Sequence, residues 1–62
     1  MTIKRVKQAA ASRGIYFDGK KRFLNVTIGA GYEVYNGYRF IQADTLEGLY
    51  KMVMTYPKET KS

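Results

Sequence analysis

The chain has 62 residues, a formal net charge of +6, and neither cysteine nor histidine. One small domain is expected, with no disulfide or Cys/His zinc site to support it, so its stability must come from a compact aromatic core or from self-association. Without imidazole or thiol there is no ordinary general base and no thiolate nucleophile. The acids are scattered singly and no phosphate-loop or dinucleotide fingerprint is present, so neither an enzyme nor a bound cofactor or metal is expected.

The charge is segregated. Residues 1–22 hold seven bases (Lys4, Arg5, Lys7, Arg13, Lys20, Lys21 and Arg22) against the single acid Asp18, and the remainder of the chain is neutral. A one-sided basic surface attracts polyanions, and nucleic acid is the commonest of these in a cell. No stretch approaches the roughly 20 apolar residues that span a bilayer. The alanines at 9–11 run into Ser12 and Arg13, not into the apolar segment of a signal peptide. A soluble, cytoplasmic protein without membrane contact is the expectation.

In chain order, residues 2–13 read as a short helix. Ile3, Val6, Ala9 and Ala10 fall at near-helical spacing, Thr2 can act as N-cap, and Gly14 can end the helix in the left-handed conformation. Lys4, Arg5 and Lys7 lie in the first two turns, where the positive end of the helix dipole disfavours cations. Either a partner requires them there or they only solubilise the helix.

Residues 15–41 read as β-structure, rich in Tyr, Phe, Val, Ile and Thr and cut by glycine-containing turns. Residues 15–17 form a short strand and residues 18–22 a basic loop. In the strand at 23–28, Leu24, Val26 and Ile28 alternate with Phe23, Asn25 and Thr27. Gly29-Ala30-Gly31 reads as a turn. Strands at 32–35 and 38–41 flank Asn36-Gly37, the signature of a two-residue type I′ hairpin with positive φ at both positions. That hairpin pairs Tyr35 with Tyr38, Val34 with Arg39, Glu33 with Phe40 and Tyr32 with Ile41. One face then carries Tyr32, Val34 and Ile41, with Arg39 as an intruder, and continues Leu24, Val26 and Ile28 as the core. The other carries Tyr35, Tyr38 and Phe40, with Glu33, and presents these aromatics and Phe23 beside Asn25, Thr27 and the basic loop.

A last helix is expected at 45–55. Asp44 and Glu47 have capping-box spacing, and Leu46, Leu49, Tyr50 and Val53 form one apolar stripe. Gly48 suggests close approach to the sheet, and Tyr56-Pro57 stops the helix. Residues 58–62 read as a frayed tail.

The expected fold is α+β: an N-terminal helix, an antiparallel meander of three or four strands, and a C-terminal helix on one sheet face. The layout of residues 14–53 resembles the three-stranded-sheet DNA-binding architecture of phage integrase arm-binding domains and of sheet-and-helix domains in plant transcription factors. Arg13-Gly14-Ile15 and Asp44-Thr45 before a helix carry the plant likeness. The spacing between them is longer here, the usual tryptophan is absent, and the N-terminal helix is additional. The likeness is therefore one of layout and does not make the chain a member. Size, basicity and lack of cysteine also suit a small phage or prophage accessory protein.

The expected function is non-catalytic nucleic-acid binding, with double-stranded DNA ahead of RNA. Phosphate contacts fall to Lys4, Arg5, Lys7, Lys20, Lys21, Arg22 and Arg39, and Tyr35 and Tyr38 add aromatic contact. Two helices are available for two sheet faces, so the N-terminal helix either covers these aromatics or leaves them open. The alternative function is an inhibitor or adaptor that docks a partner protein, by an acidic or apolar patch on it, through exposed sheet aromatics. A homodimer closed at an open sheet edge is a third reading.

Overall fold

The computed structural model describes residues 1–58. The elements follow in the order α1 (Ile3–Ala11), β1 (Arg22–Asn25), β2 (Gly29–Tyr35), β3 (Phe40–Ala43) and α2 (Leu46–Met54). The fold is α+β, with one antiparallel sheet in the order β1-β2-β3. The strand expected at 15–17 contributes only an isolated bridge, from Tyr16 to Tyr35. The frayed tail expected at 58–62 lies, from residue 59 onward, outside the described residues. No helix among the described residues is long and apolar enough to cross a membrane.

Helix α1 starts and stops where its caps dictate. Thr2 is extended, and its hydroxyl accepts from the Arg5 N–H at 3.2 Å. At the other end Gly14 has φ +70°. The Gly14 N–H donates to Ala11 O at 3.1 Å and the Ile15 N–H to Ala10 O at 2.8 Å, the paired bonds of a Schellman motif. Val6 and Ala10, one turn apart, are fully buried, while Lys4, Arg5 and Lys7 stay in solvent.

The cap of α2 lies one residue later than the capping-box reading. Thr45, not Asp44, is the extended N-cap, and its Oγ1 accepts from the Gly48 N–H at 3.0 Å. Glu47 then falls in the first turn and Lys51 in the last, both favourable to the helix dipole. A Cβ on Gly48 would lie 3.7 Å from the Ala43 Cβ, an ordinary contact, and its tighter neighbour would be the cap Thr45 Oγ1 at 3.2 Å, so the glycine is not required by the sheet.

Two turns differ from expectation because asparagine side chains organise them. Asn36 Oδ1 accepts from the backbone N–H groups of Tyr38 and Arg39, both at 2.8 Å. The Asn36 N–H donates to Arg39 O at 3.2 Å. Only Gly37, at +88°, has positive φ here, so no type I′ turn forms. The loop is residues 36–39, and Tyr35 pairs with Phe40, Val34 with Ile41 and Tyr32 with Ala43. This pairing is two residues from the expected one. An even slip preserves the faces, so Val34 and Ile41 remain in the core while Arg39 leaves the strand.

The second correction is at residues 25–31. Asn25 Oδ1 accepts from the Thr27 and Ile28 N–H groups at 2.9 and 2.8 Å. β1 therefore ends at Asn25 behind a bulge, and Gly29-Ala30-Gly31 begins β2 instead of forming the turn. Leu24, Val26 and Ile28 do not build the core, and Val26 is 93% exposed.

The core is Val6, Ala10, Ile15, Phe17, Val34, Ile41, Ala43, Leu49 and Val53. α2 packs on β2 and β3, and α1 packs on α2. Both helices thus occupy the core side, and the opposite sheet face carries neither. Gly31 shows how closely the sheet passes the start of α2. A Cβ there would collide with the Ala43 carbonyl and lie 2.9 Å from Asp44 Cα. Both obstacles are backbone, so Gly31→Ala should cost about 2 kcal/mol or more. For a domain this small that is a fall in melting temperature of roughly 10 °C, readable by circular dichroism.

Candidate functional site

The basic residues divide into groups. On α1, Lys4 and Lys7 are three positions apart and share a face, whereas Arg5 and Lys7 are nearly opposite at about 100° per residue. Arg5 instead lines a groove between the helices with Gln8, Ser12, Tyr50 and Met54. The loop after Phe17 folds onto the Lys4/Lys7 side. A Cβ on Gly19 would meet Ile3 Cγ2 at 2.9 Å and lie 3.7 Å from the Lys7 Nζ. Lys20 and Lys21 follow immediately and are exposed. Lys4, Lys7, Lys20 and Lys21 therefore form one basic ridge. The first turn of α1 contains no acid to offset its cations.

Arg22 is not free for anion contact in the same way. It ion-pairs with Asp18, and its Nη1 lies 3.7 Å from Glu33 Oε2. The chain of polar groups continues across the sheet. Gln42 Nε2 donates to Glu33 Oε1 at 3.1 Å, and Asn25 Nδ2 donates to Gln42 Oε1 at 3.4 Å. Arg13, part of the same charge excess, has a structural role. Its Nε donates to Tyr56 O at 2.9 Å and its Nη1 to Ala9 O at 3.0 Å, binding the C-terminal ends of both helices.

The aromatic face is open. Tyr16 pairs across from Tyr35 and Tyr35 across from Phe40, which sets three rings in one row over three adjacent chain segments. Their exposures are 69%, 39% and 60%. The Tyr35 and Phe40 centroids are 4.8 Å apart at 39°. Tyr38 and Arg39 project from the 36–39 loop, both exposed. Phe23 does not join the row, contrary to expectation. It pairs with Ala30, five residues from Tyr35 along β2, or about 16 Å at the usual rise.

Beneath the row is a small cleft of about 120 Å³, lined by Tyr16, Asp18, Arg22, Glu33, Tyr35 and Phe40. Phe40 and Glu33 lie on the face where the sequence places them, though not among the expected contact residues, and Tyr16 and Asp18 are additions to that face. Tyr16 was recoverable: buried Ile15 and Phe17 flank it, and strict alternation turns it outward. Asp18 joins the site through local contacts, with the Lys20 N–H and with Arg22 four residues on, whereas Glu33 meets Arg22 only through the pairing of β1 with β2.

No family model matches the chain, and no match was found among curated proteins or solved structures.

The Asp18 carboxyl is held below its ordinary value of 3.8, first by the hydrogen bond it accepts from the Lys20 N–H. The charges of Arg22 and Lys20 add to this, and desolvation opposes it in part. A depressed carboxylate contributes stability above its ordinary pKa and loses it as pH falls through the lowered native value. Asp18→Asn should therefore be less stable than the parent at neutral pH, with the gap narrowing below about pH 4. Urea midpoints at neutral and acid pH measure this directly.

Proposed function

We propose that the protein is a non-catalytic nucleic-acid-binding module, with duplex DNA the preferred partner over RNA. The observation that supports this best is the basic ridge. The 18–21 loop rests on Ile3 and Lys7, so Lys4, Lys7, Lys20 and Lys21 present ammonium groups to solvent from one side of the fold. Cations held at the unfavourable end of a helix, with no acid in its first turn, are what a polyanion partner would use. Four phosphate contacts release about four counterions, which favours a duplex of high charge density. Arg39 adds a cation on the 36–39 loop, while Arg22 is already neutralised by Asp18 and Glu33. A small phage or prophage accessory protein remains an apt setting for such a module.

A second reading is a protein-docking module, favoured by the uncovered row of Tyr16, Tyr35 and Phe40. Buried aromatics dominate protein interfaces, so such a module would lose binding on Tyr35→Ala or Tyr38→Ala and tolerate changes in the ridge.

Anisotropy titrations against duplex DNA, single-stranded DNA and RNA at several salt concentrations test both. The slope of log K against log[salt] for duplex DNA should be about −3.5. Replacing Lys20 and Lys21 with Gln should weaken binding and make the slope shallower by about 2. Stability should change by no more than about 0.5 kcal/mol per site. Absent or salt-insensitive DNA binding would discard the nucleic-acid reading.

A further inference from the structure

We propose that the Tyr16–Tyr35–Phe40 row stacks an unpaired nucleobase, so that the preferred ligand is a duplex carrying a single-stranded extension. This rests on the nucleic-acid reading above and adds a second, separate site to the ridge.

The row offers exposed aromatic rings at adjacent positions, with Tyr35 and Phe40 tilted 39° to each other. Its three rings occupy successive cross-strand positions, and neighbouring strands are spaced by about 4.8 Å. Neither helix covers that face. Inside a duplex both faces of each base are already stacked, so away from the duplex ends an unpaired base is what can lie on these rings. The cleft under the row, about 120 Å³, is far smaller than a drug-sized pocket of roughly 300 Å³ or more, and has room for one flat ring system. Its wall is polar as well as aromatic. Glu33 can accept from an exocyclic amine, and the Arg22 guanidinium can donate to a ring acceptor.

The cations that flank the row favour a nucleic acid over an apolar peptide as the occupant, while the cleft wall itself holds two carboxylates and one guanidinium. Asp18 lines the cleft, and the next residue, Gly19, rests on Ile3 and Lys7. The ridge therefore begins one residue from the cleft wall, and Lys20 and Lys21 extend it. Arg39 stands at the other end, directly before Phe40 in the chain. A strand whose base enters the row has cations for its phosphates on both sides. The duplex portion lies along the ridge and the unpaired end crosses the sheet face.

The experiment compares one blunt duplex with the same duplex bearing a short single-stranded overhang, for the parent, Tyr16→Ala and Phe40→Ser. Both side chains are largely exposed, and the Tyr16 bridge to Tyr35 is made by backbone atoms, so the fold should persist and circular dichroism checks it. The overhang should tighten binding by at least about fivefold, the lower end of base–aromatic stacking. Each variant should remove that gain while blunt-duplex affinity stays unchanged. Equal affinity for the two duplexes, or a gain that survives both variants, would overturn the stacking site and leave the ridge intact. So would tyrosine fluorescence that responds to an apolar peptide and not to the overhang. Absence of binding to either duplex would overturn the nucleic-acid reading and this inference with it.

Discussion

Arg13 binds the two helices at their C-terminal ends, and the remaining architecture depends on where that places α1. Its guanidinium donates to Ala9 O within α1 and to Tyr56 O just beyond α2. These carbonyls lie at or near the negative ends of two helix dipoles, where a cation is favoured. Val6 and Ala10 pack into the same core as Leu49 and Val53. The apolar stripe of α1 is thereby used up against α2 and the segment at 15–17. Neither helix among the described residues covers the far face of the sheet.

That choice produces the two surfaces on which function rests. The Schellman turn at Gly14 sends the chain directly from α1 into Ile15, so Tyr16 reaches β2 and bridges Tyr35. Ile15 and Phe17 are drawn into the core and Tyr16 is left on the open side. The chain then returns at Gly19 to touch Ile3 and Lys7. One short segment thus completes both the aromatic row and the basic ridge. Asp18 sits at the junction, held ionised by the Lys20 N–H and by Arg22. It pairs with Arg22 on the sheet face, and its charge also acts on Lys20. Net charge alone does not reveal this pairing.

The local devices differ in how they acted. Thr2 and Gly14 cap α1 as their residue types suggest, because capping is satisfied within a few residues of chain. The asparagines are different. Asn25 and Asn36 each bond backbone N–H groups two and three residues ahead, which competes with continued strand or a primed turn. Asn36-Gly37 therefore opens a four-residue loop, and β1 stops at Asn25.

By itself the sequence determined the fold class, the two helices and their approximate ends, the sidedness of β2 and β3, and the segregation of positive charge. These follow from periodicity, capping chemistry and composition, which act over a few residues. Residue faces in β2 and β3 were correct even though the pairing was displaced, because a slip of two residues retains alternation. Tertiary structure alone decided that α1 packs on α2, that Phe23 lies far from Tyr35, and that Glu33 reaches Arg22 from the neighbouring strand. Each of those depends on the placement of segments distant in the chain, which is set by competition for one small core and not by any local preference.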